Sequence, residues 1–379
     1  MTKSDFIFMM MRAALWQTPT HHFDMTPWEY KQVMDYSEKQ CILGVIIDCL
    51  RSNDIGLQKK CVIHMLKLQN TLEIENRHLN ENVERLVKLL DDHGYDYAVV
   101  KGQTLAQLYA KPLLRVPGDI DFYVMKKVVQ NVKEIIEKEW NITFKHTSVD
   151  DIKDYPFAYN KSNYEMHYRL ALFSYPPHQH YFDHLVDTMP RKDVVIDGTH
   201  VKTLQPTLNL FYTFVHLYHH LRKMGVALRQ LCDVAVIIRH HKNEIDRTLL
   251  AEILDKTGYR KAFTAFGSII VEKLGVPKEE FPLPISEKDH KWGKKILDDI
   301  LRHGNWGKYE REAREKKWSI GHSLGTAQFL ISRYFKYFLL TPKDNIAFLT
   351  ITTPKLFLAS VKKLCKKYWR KHVGKQQKS

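Results

Sequence analysis

The sequence predicts an α+β fold: a small mixed α/β sheet core set between a helical N-terminal segment and a mostly helical C-terminal half. Three observations carry this. β-rich runs alternate with short helical stretches from Tyr95 onward, and the flanking regions instead repeat apolar residues every three or four positions. "DVVIDGTHVKTL" sets Asp197-Gly198 between two β-like runs, a strong hairpin signal. From Pro206 the helical pattern continues almost without a break.

Taken in order, residues 26 to 93 read as helical. Thr26 suits an N-cap and Pro27 the first helical position of "TPWEYKQVMDYSEKQ". "CILGVIIDCL" is far shorter than the roughly 20 apolar residues a bilayer span needs, so it reads as buried helix. A long periodic segment then runs to Gly94. "YDYAVV" reads as a strand, "GQTLAQLYA" as a helix opening at Gly102, "DIDFYV" as a strand and "MKKVVQNVKEIIEKEW" as an amphipathic helix. "NITFKHT", "YPFAYN" and "NYEMHYRLAL" follow as three further strands. Helices are expected through residue 275, a loop with three prolines over 277–290, and more helix at 291–302, 320–340 and 355–372. The expected division is a helical segment over 1–93, the core over 94–205, a helical region over 206–354, and a basic amphipathic helix and tail over 355–379.

Composition narrows the class. With 44% hydrophobic and 27% charged residues, the chain is that of an ordinary folded protein, and 379 residues suggest two or three domains. Five scattered cysteines without a CxxC pair argue against a disulfide framework or zinc ribbon and fit a reducing cytosol. The short apolar run near the N-terminus lacks a small-residue cleavage site, which argues against a signal peptide. Nine of the net +15 charges fall in residues 355–379, so the tail carries most of the excess. That tail is a candidate contact for an anionic membrane or another polyanion, against the plainer reading of a solvated helix end.

The chemistry concentrates in "GDIDFYV". Asp119 and Asp121 stand two apart on a strand and so share a face, where their charges repel unless a cation accepts them. Mg²⁺ prefers such oxygen ligands, and two ions about 4 Å apart can serve an in-line phosphoryl displacement. A third carboxylate from a neighbouring strand is required, and Glu165 in "NYEMHYRL" is the candidate, with His167 on its face and Met166 and Tyr168 opposite. Lys101-Gly102 ends the preceding strand at a helix start, where free N–H groups favour phosphate. Arg115 could meet a polyphosphate bidentately. On the helical side, His216 and His220 have the i, i+4 spacing of a metal pair without the glutamate of a metalloprotease, and Arg229 and Asp233 have the spacing of a salt bridge.

This pattern resembles the nucleotidyltransferase superfamily that includes DNA polymerase β, and more closely the uncharacterised nucleotidyltransferase family proteins. The similarity rests on Lys101-Gly102, Leu105, Leu108-Tyr109, Arg115 and Gly118-Asp119-Ile120-Asp121, then on Glu165-Met166-His167-Tyr168-Arg169-Leu170 and "LRQLCDVAVII". It spans most of residues 26 to 270. Gln103 departs from the Gly or Ser usual after the first glycine, and Glu165 from the usual Asp.

The resemblance implies transfer of a nucleoside monophosphate from a nucleoside triphosphate to an acceptor hydroxyl by two-metal in-line displacement. Asp119, Asp121 and Glu165 would hold two Mg²⁺ ions, for which Mn²⁺ can substitute. Lys101, Gly102, Gln103, Arg115, Gly118 and His167 would position the triphosphate. The acceptor and the base preference are not legible. Two rival readings stand beside it: a catalytically inactive nucleotide-binding or regulatory member, and a peripheral membrane or nucleic-acid interaction protein led by its tail. The expected location is cytoplasmic, with peripheral membrane association as the alternative.

Overall fold

The computed structural model describes residues 2–144, 153–223, 225–303 and 331–354. The expected helix at 355–372, most of that at 320–340 and the end of "NITFKHT" lie outside these residues. Residues 141–144 of that stretch form no strand.

The N-terminal helices are α1 (Lys3–Trp16), α2 (Pro27–Lys39), α3 (Leu43–Ser52) and the 34-residue α4 (Lys59–Asp92). Thr26 and Glu29 form a full capping box at α2, with Pro27 at the first helical position. The uniformly helical reading of 26–93 needs one correction. β1 (Phe23–Met25) and β2 (Ile55–Leu57) pair in parallel, and β2 interrupts the helices. Three-residue strands are too short to show a period of two. Every residue of "LGVIIDCL" in α3 is buried, as expected.

The central sheet holds β3 (Tyr97–Val100), β4 (Ile120–Val124), β5 (Asp154–Tyr159) and β6 (Ser162–His167) in the order β3-β4-β6-β5. β3 and β5 run antiparallel to their neighbours, while β4 and β6 are parallel. Between β3 and β4 lies α5 (Gly102–Ala106), only five residues long, and α6 (Val129–Trp140) follows β4.

Alternation divides the sheet. Ile120, Phe122, Val124, Tyr164, Met166 and Tyr168 join one apolar cluster with Val83, Leu86 and Leu90 of α4 and Val132 and Ile136 of α6. The opposite face carries Asp121, Glu165 and His167. A separate two-stranded hairpin, β7 (Arg191–Ile196) and β8 (Thr199–Leu204), turns through Asp197 and Gly198 at φ +46° and +86°. These are the two left-handed positions a type I′ turn demands.

Among the described residues the helical half includes α7 (Pro176–Thr188), α8 (Pro206–Lys223), α9 (Leu228–His240), α10 (Arg247–Thr257), α11 (Arg260–Leu274), α12 (Glu287–His303) and α13 (Pro342–Ala347), and residues 331–336 are helical as well. One apolar cluster runs from Ile7 to Leu340, and Leu204 and Leu208 on either side of the expected boundary both belong to it. Asp344 of α13 closes this half onto the core. Its Oδ2 accepts from Nη1 and Nη2 of Arg222 on α8 at 3.1 Å each, and its Oδ1 from the backbone N of Ser174 at 2.7 Å.

Candidate active site

A cleft of about 610 Å³ opens between the polar face of the sheet and helices α8 and α9. Asp119, Asp121, Asp154 and Glu165 form the sheet wall, and Thr213, His216, His220 and Lys223 of α8 face it.

Parallel pairing places Asp121 of β4 directly beside Glu165 of β6. With His167 two residues on, their ligand atoms all fall within 4.8 Å of one another. Nε2 of buried His167 lies 2.8 Å from Oδ1 of Asp121 and 3.4 Å from Oε2 of Glu165, and Nζ of Lys101 is 2.6 Å from the same Asp121 oxygen. Burial works against ionisation of Asp121, but Lys101 and His167 together outweigh it and hold this carboxyl far below the usual range. Glu165 goes the other way. Burial first, and the neighbouring Asp121 charge second, push its carboxyl up to about 7. Burial also lowers the His167 imidazole, against the pull of Asp121.

Lys101 reaches Asp121 from an unusual backbone. Its φ of +57° and ψ of −144° fall in a region essentially reserved for glycine. Gly102 follows at φ +37°, where an added Cβ would stand 3.4 Å from the carbonyl oxygen of Asp119. The two loops that frame the site therefore touch here.

Several sequence-derived expectations change. β4 begins at Ile120, so Asp119 stands one residue before the strand, exposed on the cleft rim and outside the Asp121–Glu165–His167 group. Arg115, expected to meet polyphosphate, is buried and spends Nε and Nη2 on Asp233 at 2.8 and 2.9 Å, with Tyr109 Oη donating to the same carboxylate. Asp233 is thus the partner of Arg115, not of Arg229. Arg229 Nη1 instead donates to the carbonyls of Val116 and Pro117 and braces the loop that carries Gly118 and Asp119.

Gln103 also turns away from the cleft. Its amide donates to Asn80 and, at 3.4 Å, to the carbonyl of Asn76 on α4. With only five residues, α5 supplies little dipole for an anion. Of the α8 histidines, His219 is buried against Tyr259 Oη at 2.8 Å. His216 and His220 line the cleft with ring centroids 4.4 Å apart. Burial, then Lys101, holds both imidazoles uncharged, His220 down to about 3.

Three site residues escaped the sequence. Asp154 opens β5 opposite His167, with Oδ2 3.6 Å from Nδ1, and Lys153 pairs with that carboxylate at 2.8 Å. The signal was present in "KDYPFAY", a charged pair at a strand start that the alternation of β6 brings beside His167. Lys223 had no such signal, because its place depends on how α8 packs.

A mixed four-stranded sheet carrying clustered carboxylates, covered by helices across a polar cleft, defines a nucleotidyltransferase-type fold. The model of the uncharacterised nucleotidyltransferase family matches residues 27–274, and the chain belongs to that family. Among solved structures, an antigenic nucleotidyltransferase-like protein from Paracoccidioides brasiliensis is similar at 19% identity and a TM-score of 0.32, over 54% of this chain and 97% of that one. No curated protein matches the sequence. Among the described residues no helix is long and apolar enough to cross a membrane.

Proposed function

We propose that this protein transfers a nucleoside monophosphate from a nucleoside triphosphate to an acceptor hydroxyl, using divalent metal held at the sheet wall. The observation that carries this reading is the convergence of Asp121, Glu165 and His167 within 4.8 Å on the polar face of the sheet.

The residues fit a hard cation. Two carboxylates side by side offer oxygen ligands, and Glu165 is pushed up partly because the charge of Asp121 beside it is not fully offset. Lys101 and His167 both contact Oδ1 of Asp121, so metal ligation falls to Oδ2, to Glu165 and to Asp119 at the rim. Bound there, Mg²⁺ would offset charge on the attacking and leaving oxygens.

The chain supplies the rest. Lys101, with Gly102, receives the β- and γ-phosphates next to Asp121. His167 donates through Nε2 and keeps the Asp121 carboxylate oriented. Arg115 and Asp233 hold the loop from Leu114 to Asp119, and Arg229 fixes its carbonyls, so all three act by positioning. The acceptor oxygen bonds to the α-phosphorus as the bond to the bridging oxygen of pyrophosphate breaks. The electron pair leaves with pyrophosphate and the hydroxyl proton passes to solvent. Labelled nucleoside triphosphate incubated with Mg²⁺ and cell extract should yield a labelled product and pyrophosphate with the full-length protein and neither with the Asp119→Asn/Asp121→Asn variant. Equal labelling by both proteins would overturn the proposal.

A further inference from the structure

The sheet places the site's charges in a line. Pairing across the strands runs from Val100 on β3 through Asp121 and Glu165 to Pro156 on β5. At about 4.8 Å per strand, the two ends stand about 14 Å apart. Lys101 follows Val100 at one end; Lys153 and Asp154 precede Pro156 at the other. The carboxylates lie between them.

In-line displacement puts the attacking oxygen and the leaving group on opposite sides of the phosphorus. With pyrophosphate leaving toward Lys101, the acceptor must enter from the β5 side. That side has an excess of positive charge. Lys101, Arg115 and Lys153 each have a carboxylate partner, at 2.6, 2.8 and 2.8 Å. Lys223 lines the same cleft and has no ion-pair partner among the described residues. It lies three residues beyond His220, about 4.5 Å further along α8. Its side chain keeps access to solvent, yet the packed surroundings, then Arg222 and Lys153, push its ammonium down to about 8 against the pull of Asp344.

We infer that the acceptor is a small phosphorylated molecule, its phosphate seated between Lys153 and Lys223 while its hydroxyl faces the sheet carboxylates. This rests on the transferase reading for its direction of entry. A single pole of two lysines inside a cleft fits one phosphate, whereas a polynucleotide would be met by a longer basic track.

The test uses the full-length protein with Mg²⁺ and a non-hydrolysable nucleoside triphosphate occupying the nucleotide site. Inorganic phosphate and glycerol 3-phosphate are titrated by ³¹P line broadening, with glycerol followed by proton NMR. The expected result is saturable binding of both phosphates and none of glycerol. Lys223→Gln should weaken it about tenfold or more, and Lys223→Arg should retain it. Equal binding by wild type and Lys223→Gln, or no phosphate binding beside the analogue, would overturn the inference. Displacement of phosphate by the analogue would do the same, because Lys223 would then serve the triphosphate. A short RNA binding at the same site more tightly than glycerol 3-phosphate would likewise exclude a small acceptor. Asp121→Asn in the transfer assay tests the catalytic reading separately, since phosphate binding at Lys223 does not depend on turnover.

Discussion

Nζ of Lys101 sits 2.6 Å from Oδ1 of Asp121, and Lys101 holds that contact from a backbone at φ +57°, ψ −144°. Strained residues of this kind persist where surrounding structure over-determines them, often at functional sites. The ion pair is nearly enclosed, with side chains 14% and 9% exposed, so it is not screened like a surface pair.

Lys101→Met should lower stability to urea by about 3 kcal/mol, because Asp121 then keeps a buried charge with only His167 against it. Lys101→Gly should be less damaging than Lys101→Met by about 1 kcal/mol, since glycine accepts this backbone freely. A glycine variant no more stable than the methionine variant would show that the backbone carries no strain.

Asp121→Asn should reduce metal-dependent transfer by at least about 10³-fold, the upper range for loss of one charge-stabilising group, with an unchanged far-ultraviolet circular dichroism spectrum. A fully active variant would remove Asp121 from the machinery.

Glu165 makes the metal-free protein pH-sensitive in a defined direction. Its folded carboxyl titrates at about 7, above its ordinary 4.5. A raised acid binds its proton more tightly when folded, so the stabilisation is full below pH 4.5 and is lost as pH rises through about 7. Asp121, held low, behaves oppositely and loses its contribution only in strong acid. The buried histidines, held uncharged, make stability rise from pH 5 towards neutrality in chemical denaturation without metal, and Glu165 subtracts from that rise, so Glu165→Gln should steepen it. Added Mg²⁺ should steepen the rise in the wild type in the same way, by drawing the proton off. An unchanged slope in Glu165→Gln would assign the titration to another group.

Arg115 and Asp233 are both buried and bidentate, 118 residues apart in sequence. Asp233→Asn should therefore cost about 3–5 kcal/mol in equilibrium unfolding. A raised KM at intact stability would return Arg115 to the triphosphate.

Asp344 lies outside the family-matched region, yet its carboxylate ties α13 to Arg222 and to Ser174 on the loop after β6. Asp344→Ala should destabilise the fold by about 3 kcal/mol through the unpaired Arg222, measured by thermal or urea unfolding. No loss would mean that water replaces the carboxylate there.

Local patterning along the chain fixes the structure within a few residues of each position. Alternation put Asp121 on the face opposite Phe122, and Glu165 and His167 opposite Met166. Asp197-Gly198 specified its own turn, and the amphipathic periods placed α2, α4, α6 and α8. These are local rules of backbone geometry, so the core carboxylates and the family were legible. Which charge meets which depended instead on how the elements pack. Arg115 pairs with Asp233, Gln103 turns to Asn80, Asp154 comes beside His167 across a hairpin, and Lys223 faces the cleft with no carboxylate partner among the described residues. Such pairings join residues tens to more than a hundred positions apart, and their Coulomb and desolvation energies depend on separation in space, which no spacing along the chain encodes.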